Sequence, residues 1–314
     1  MPSSQDSSRA ALVVAHPSHE LCVHGWLQKA RPYVCVLTDG GGRSGQSRLA
    51  KTSEVLSRVG AVRGAIYGRL SDLQVYSAIL EKDSDLFVTV VEELAKAFVD
   101  EKIDYVVGDA DEGYNVAHDM CHVLIDVAAA LAEQEYGHHV ARYKFPLVGP
   151  SDERQNHGTV WLQLDEDTFR HKMEAARAYS EQLAEDVELA LDAGSFHGIR
   201  RLSEPQLNET IDVELKTALI EELESQPALK TKYRYLTEGL PLDALRVECL
   251  RPIHNGSTTK STLDEPRFYE LYGEKLVAAG RYEEVIRYRE HMFPLTQAIW
   301  KRVQRTERCA RSAY

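Results

Sequence analysis

Buried strands alternate with helical segments along the first 150 residues, and this alternation is the strongest constraint on the fold. Continuous apolar, β-branched runs occur at residues 11–15, Tyr33–Thr38 and Ile103–Val107, which is typical of strands buried on both faces. Segments with helical spacing follow at Glu20–Lys29, Ser47–Arg58, Ser84–Asp100 and Val116–Gln134. This order predicts a Rossmann-like α/β fold, with a mostly parallel sheet and helices on both faces.

The second half of the chain has a different pattern. Two weaker strands are predicted at Ala65–Tyr67 and Tyr143–Val148, and Pro146 favours an edge position for the latter. Helices are then predicted at Asp165–Leu191, Glu204–Glu224, Pro266–Ala279 and Tyr282–Arg302, with an extended segment at Asp243–Cys249. We therefore expect an α/β domain over residues 1–200 and a mainly helical C-terminal extension over 201–314, packed on the first.

The composition excludes several classes of function. The 37 Lys and Arg residues against 49 Asp and Glu give a net charge of −12, which disfavours binding to nucleic acid or to an anionic membrane surface. No apolar run approaches the ~20 residues of a membrane span. The polar start and five scattered cysteines without a CxxC pair predict a cytoplasmic protein with free thiols. A small-molecule substrate is expected, and homo-oligomer formation stays open.

Two loops that follow predicted strands are rich in groups that bind metals. The first contains His16, Ser18, His19 and Glu20, and the second runs from Asp109 to His118. If their strands are neighbours, both loops lie at one edge of the sheet. Three imidazoles there can form a His₃ site with an open fourth position, as a catalytic zinc requires. The alternative is exposed or helix-capping histidines, because His-x-x-His spacing also arises by chance.

The run ALVVAHPSHELCVHGWL, with LTDGGG further on and GYNVAHD after a later strand, resembles the PIG-L/LmbE-like family of zinc-dependent de-N-acetylases. In that family the first loop is Ala-His-Pro-Asp-Asp-Glu and the later loop is His-Pro-Asp-His. The resemblance covers roughly residues 11–190. It implies a zinc ion held by His16, His19 and His118, and hydrolysis of the N-acyl group of an amino sugar or a related small amide.

Three positions depart from the family pattern. Ser18 stands where the family has the Asp that acts as general base, and a hydroxyl cannot fill that role unaided. His19 replaces a ligand Asp, and Asn115 replaces a His that helps to stabilise the oxyanion, where an amide can still donate a hydrogen bond. Substitute bases on the same rim are Glu20, Asp109, Asp111 and Glu112. We favour Asp111, and expect Glu20 to orient a ligand histidine.

Substrate contacts are expected from Asp39, Arg48 and Ser18. Asp39 matches a family turn near the substrate, although Gly-rich turns also follow strands for conformational reasons alone. Arg48 is a candidate for a sugar hydroxyl or phosphate, with a solvent-facing side chain as the alternative. Asp72 occupies a position where the family often has Asp, and it is equally interpreted as a helix N-cap.

The sequence therefore favours a metal-dependent amide hydrolase. Gly-x-Gly-x-x-Gly after a strand, the phosphate-binding loop and the Gly-x-Ser-x-Gly elbow do not occur, so nucleotide-cofactor and serine-hydrolase chemistry lack their motifs. One alternative is a non-catalytic or weakly active metal-binding homologue that acts as a binding or scaffold protein. Another is metal-dependent hydrolysis of an ester or of a different C–N bond.

Overall fold

The computed structural model describes residues 8–42, 45–147, 158–176, 178–179, 246–254, 266–278, 280 and 282–311. Its strands are β1 (Ala10–Val14), β2 (Tyr33–Thr38), β3 (Val62–Leu70), β4 (Tyr105–Asp109), β5 (Ala141–Phe145), β6 (Val160–Gln163) and β7 (Val247–Pro252). Its α-helices are α1 (His24–Ala30), α2 (Leu49–Val59), α3 (Asp72–Glu81), α4 (Ser84–Asp100), α5 (Val116–Tyr136), α6 (residues 166–176), α7 (Phe268–Ala278) and α8 (Phe293–Arg311). A 3-10 turn, His19–Val23, precedes α1, and a π-helical turn, Tyr288–Met292, precedes α8.

The described strands form one seven-stranded sheet in the order β3-β2-β1-β4-β5-β7-β6. Strands β1 to β5 are parallel, and β7 pairs antiparallel with both β5 and β6. This confirms the α/β fold with a mostly parallel sheet. The strand order reverses between β1 and β4, which lie side by side. In such sheets the loops at the carboxyl ends of the two strands at a reversal form a crevice that binds ligands.

Helices cover both faces of the sheet. The side chains of Ala11 and Val13 pack on one face with α3, α4, α5 and α8, whereas Leu12 and Val14 pack on the other with α1, α2 and α6. Every residue of β1 is buried, as the continuous apolar run predicts. In the described part of the chain, no helix is long and apolar enough to cross a membrane.

Local capping sets several helix boundaries. Ser71 caps α3 in a reciprocal arrangement with Gln74, and Asp83 caps α4. Asn115 caps α5 through the Ala117 N–H. Asp72 is therefore the first residue of α3 and not its N-cap, which leaves its carboxylate available to face the neighbouring loops.

Three expectations about secondary structure were wrong. Strand β5 lies inside the sheet between β4 and β7, because Pro146 follows its last residue and interrupts no pairing. Strand β3 is longer than the three residues predicted. The helix expected from Tyr282 begins only at Tyr288, where the His291 Nδ1 accepts the Arg287 N–H at 2.9 Å. The helix predicted at Glu204–Glu224 and the domain boundary predicted at residue 200 lie outside the described residues.

A buried carboxylate from the C-terminal half joins β7 to the start of α1. The Glu248 side chain is 2% exposed and accepts the backbone N–H groups of Gly25 and Trp26, each at 2.9 Å. The Lys172 ammonium also donates a hydrogen bond to Glu248 Oε1, at 3.1 Å. Three hydrogen-bond donors on one carboxylate compensate for the cost of its burial.

We expect Glu248→Gln to lower the free energy of unfolding by about 1–3 kcal/mol, because the amide cannot accept all three hydrogen bonds and leaves a buried donor unsatisfied. Urea denaturation measures this loss. Glu166→Gln is the matched control, since Glu166 pairs with Arg246 on the exposed surface and should cost at most about 0.5 kcal/mol. Equal stability of the two variants would contradict the role given to Glu248.

Candidate functional site

Three histidine side chains come together where the loops after β1 and β4 meet. The ring centroids of His16, His19 and His118 lie 4.5–5.3 Å apart. The residues are 9%, 7% and 5% exposed, respectively. The parallel pairing of β1 with β4 explains the proximity, because it brings the two loops to the same edge of the sheet.

The tautomer of His16 follows from its hydrogen-bond partners. Its Nδ1 lies 2.9 Å from Thr38 Oγ1 and 3.0 Å from Asp72 Oδ1. The Thr38 hydroxyl gives its single hydrogen to the Ala15 carbonyl at 3.0 Å, and a carboxylate only accepts. Nδ1 therefore carries the proton, so Nε2 of the neutral ring carries a lone pair. Nε2 is buried and has no hydrogen-bond partner among the described residues.

A buried carboxylate orients His19 in the same way. The Nδ1 of His19 is 3.0 Å from both oxygens of Asp109, which is fully buried and also accepts the Ala15 N–H at 2.8 Å. Because a carboxylate only accepts hydrogen bonds, Nδ1 carries the proton, and the lone pair of the neutral ring lies on Nε2. Carboxylates in this position behind a histidine are common in metal sites. Asp109 is one of the substitute bases that the sequence suggests, and the structure places it behind His19 instead.

The Asp72 carboxylate is held ionised beside His16. Burial on its own raises the pKa of this group, but the nearby His16 imidazole and the hydrogen bonds donated by His16 Nδ1 and by the Gly42 N–H outweigh burial and hold the pKa well below its usual range. The Gly42 N–H donates to Asp72 Oδ2 at 2.7 Å. Asp72 therefore lies beside the same cluster, because the chain after β3 ends at the same edge of the sheet.

The histidine cluster provides donors of the type that zinc takes. Ligand nitrogens at zinc distance in a tetrahedral site place imidazole centroids about 5 Å apart, close to the separations observed. No three His, Cys, Asp or Glu side chains in the described part of the chain already form a metal-binding arrangement. The three rings would therefore have to reorient to share one ion.

Ser18, which directly precedes His19, occupies an unusual backbone conformation. It is 3% exposed, and its φ of 83° lies in the left-handed region, which is uncommon for residues other than Gly, Asn and Asp. The neighbouring Glu20 is fully buried and accepts a hydrogen bond from the Tyr179 hydroxyl, which lies 2.7 Å from Thr52 Oγ1. A role for Glu20 in orienting a histidine stays a prediction.

The two other predicted catalytic residues, Asp111 and Asn115, lie in the chain between β4 and α5. Asp111 forms an ion pair with Lys144 at 2.7 Å and lies 3.8 Å from His122 Nε2. The Asn115 amide oxygen accepts the Ala117 N–H at 2.8 Å, and its Nδ2 donates to the Tyr76 hydroxyl at 3.4 Å. Burial raises the pKa of Tyr76 far above its usual value, so this hydroxyl stays protonated. The roles of Asp111 and Asn115 in proton transfer and oxyanion binding stay predictions.

The predicted substrate contacts Asp39 and Arg48 hold the glycine-rich loop after β2. Asp39 Oδ1 accepts the Gly41 N–H at 2.9 Å, and Arg48 Nε donates to the Gly40 carbonyl at 2.5 Å. The Arg48 N–H also donates to the Asp39 carbonyl at 2.9 Å. These bonds fix the loop conformation, and substrate binding by either residue stays a prediction.

A C-terminal segment reaches the first turn of α5, which carries His118, and the loop before it. The Arg267 guanidinium donates to Asp119, whose other oxygen accepts the Gly113 N–H at 3.1 Å. Burial raises the pKa of Asp119 to about 6, while the attraction of Arg267 opposes this. Gly113 has a φ of 66°, and a Cβ there would lie 3.3 Å from the Arg267 side chain. No sequence pattern indicated this contact, since Arg267 and Asp119 are 148 residues apart in the chain.

No protein-family model matches the chain, and no curated protein sequence matches it. Solved structures of deacetylases are similar to it. An antimicrobial-reagent pseudoaglycone deacetylase aligns with 57% of this chain and 84% of its own, at 18% identity and a TM-score of 0.43. The zinc-inhibited form of a teicoplanin deacetylase aligns with 56% of this chain and 85% of its own, at 13% identity and a TM-score of 0.43.

A deacetylase from the teicoplanin biosynthesis pathway, in complex with a ligand, aligns with 56% of this chain and 86% of its own. Its identity is 14% and its TM-score 0.44. The structural neighbours are thus deacetylases. At this identity and score the likeness assigns no residue and no activity to the present chain.

Proposed function

We propose that this protein is a zinc-dependent hydrolase of the de-N-acetylase type, which removes the N-acyl group of an amino sugar or a related small amide. One observation carries the proposal: three buried imidazoles meet at the strand-order reversal, and Nδ1 of two of them faces Thr38, Asp72 and Asp109. The resemblance of the His16 and His118 loops to the PIG-L/LmbE-like family supports it.

The donor chemistry fits zinc. His16, His19 and His118 would hold the ion, and in the neutral rings of His16 and His19 the Nε2 lone pair is left for it. When bound, zinc supplies a Lewis acid that acidifies water and polarises a carbonyl oxygen. Thr38, Asp72 and Asp109 stand behind the ligands, where such groups fix ring orientation and raise ligand basicity.

The other polar groups at the site would stabilise the oxyanion, transfer the proton and contact the sugar. The Asn115 amide would donate a hydrogen bond to the oxyanion of the tetrahedral species. Asp111, which is paired with Lys144 at 2.7 Å, would accept and return the proton as a weak substitute for a carboxylate at position 18. Asp39 and Arg48 would contact the sugar through the loop that they stabilise. Because Cys35 and Cys121 are buried free thiols, we also propose a reducing compartment, the cytoplasm.

A binding protein without turnover is the second candidate, and Ser18 favours it. A hydroxyl in place of the general-base carboxylate leaves the metal-binding imidazoles intact but removes a proton acceptor. Such a protein would retain zinc and bind the amino sugar without releasing acetate.

Zinc content and acetate release test the proposal together. The purified protein is expected to carry one zinc per chain and to release acetate from N-acetylglucosamine derivatives, and the double variant His16→Ala/His118→Ala is expected to lose both. His139→Ala is the matched control, because this histidine is exposed near the end of α5. Stoichiometric zinc in the double variant would place the metal elsewhere, and zinc without acetate release would support the binding protein.

A further inference from the structure

Helix α3 contacts the chain next to two of the three clustered histidines. Its first residue, Asp72, faces His16 Nδ1 at 3.0 Å. Tyr76 lies one turn further along α3, and residues four apart lie on the same side of a helix. The Tyr76 hydroxyl accepts a hydrogen bond from Asn115 Nδ2 at 3.4 Å, and Asn115 is the N-cap of α5, three residues before His118. One side of α3 therefore reaches both parts of the site.

Two partners determine the orientation of the Asn115 amide. Its oxygen accepts the Ala117 N–H at 2.8 Å and is thereby occupied by the cap of α5. The nitrogen is therefore the atom that faces Tyr76, and it carries two hydrogens. One hydrogen is donated to the Tyr76 oxygen. The second has no acceptor among the described residues, which leaves it for a substrate oxygen.

Tyr76 is suited to hold this amide in one orientation. Its ring is partly buried and packs against the hydrophobic core on that face of the sheet, so the hydroxyl is anchored by the core. Burial and the nearby Asp72 carboxylate raise the pKa of the hydroxyl, which therefore stays neutral. A hydrogen-bond donor that is fixed before the reaction stabilises developing negative charge better than one that must first reorient.

We propose that Tyr76 positions the Asn115 amide, so that the second N–H of this amide is directed to the oxyanion of the substrate. This inference rests on the proposed function, which assigns the oxyanion contact to Asn115. Tyr76 accepts one amide hydrogen and takes no part in proton transfer. Because the oxyanion develops only in the transition state, loss of the Tyr76 hydroxyl should lower kcat and leave KM unchanged.

Affinity for a transition-state analogue tests the proposal. The probe is N-(methylphosphonyl)-glucosamine, in which a tetrahedral phosphorus with anionic oxygens replaces the acetyl carbon. We expect Tyr76→Phe to weaken binding of this probe to the zinc-loaded protein by about 2–10-fold in isothermal titration calorimetry, the contribution of one hydrogen bond. Affinity for N-acetylglucosamine should not change, and kcat for acetate release should fall by the same factor as the probe affinity.

A double-mutant cycle separates positioning from a merely structural role. Asn115→Ser retains a residue that caps helices well but lacks the amide, so adding Tyr76→Phe to it should have no further effect on probe affinity. Tyr33→Phe is the matched control. The Tyr33 hydroxyl also accepts an N–H, that of Ala65 at 2.6 Å, but it lies at the start of β2, about 16 Å along the strand from Thr38.

Three results would each overturn the proposal: no binding of the probe by the unmodified protein, equal probe affinity in Tyr76→Phe, or an undiminished effect of Tyr76→Phe in the Asn115→Ser background. Failure of the proposed function gives a different result. Probe binding that depends on Tyr76, without acetate release, refutes only the hydrolase function. Acetate release with unchanged kcat and probe affinity in Tyr76→Phe refutes only the positioning role.

Discussion

Ser18→Asp is expected to raise kcat for acetate release from N-acetylglucosamine derivatives by about 10²–10⁴-fold, the usual contribution of a general base. The substitution returns a proton acceptor to a buried position that directly precedes His19 in the chain. The backbone there is already suited to it, because the φ of 83° at Ser18 is a conformation that Asp adopts more readily than most residues. Steady-state kinetics at a fixed zinc content measures the effect.

Ser18→Asn is the control for this substitution. Asn has nearly the shape of Asp and the same tolerance of the left-handed region, but it cannot accept a proton, so its kcat should stay at the level of the unmodified protein. A lower rate in Ser18→Asp, together with loss of activity in Asp111→Asn at full zinc content, would assign proton transfer to Asp111. An active enzyme that is indifferent to both changes would contradict both assignments.

Arg267→Ala is expected to lower the free energy of unfolding by about 3–5 kcal/mol, the cost of leaving one member of a buried ion pair without its partner. Asp119 is 3% exposed, and its remaining donor is the Gly113 N–H. The variant also removes the guanidinium from the Tyr288 ring. Chemical denaturation measures the stability.

Zinc content gives a second measurement on the same variant. Asp119 directly follows His118 in the first turn of α5, so disorder in this turn should weaken zinc retention as well as stability. Arg302→Ala is the matched control, because Arg302 pairs with Asp85 at the exposed surface and should change stability by no more than about 1 kcal/mol. Wild-type stability and zinc content in Arg267→Ala would show that the C-terminal segment does not support the site.

The sheet was predictable because its strands are buried on both faces. The runs at β1 and β2 are apolar without interruption, and no other local structure suits so short a β-branched segment between polar turns. The edge position expected for β5 was wrong because Pro146 lies beyond the last residue of the strand and therefore does not interrupt its pairing. The partner on that side, β7, lies about a hundred residues further along the chain, and sequence patterns carry no information on such antiparallel pairing.

The sequence also predicted which histidines lie at one edge of the sheet, whereas only the tertiary structure shows their hydrogen-bond partners. His16 and His19 follow β1, and His118 lies in the first turn of α5, after the loop that follows β4, so the rule for parallel sheets predicts one common edge. Thr38, Asp72 and Asp109 could not be assigned to particular rings, because a hydrogen bond depends on side-chain directions that are set only after the strands pair. Asp72 illustrates this, since Ser71 supplies the helix cap and leaves the carboxylate to face His16.

By itself, the sequence determined the fold class and the loops where chemistry is expected, because hydrophobic periodicity and strand-end position are local properties. The tertiary structure decided which groups face one another across long separations in the chain. Glu248 on the start of α1, Arg267 on Asp119 and Phe268 on Tyr114 are all contacts of this kind. Each buries a charge or an aromatic surface against a partner that no local pattern specifies, so the folded packing of the C-terminal segments alone selects it.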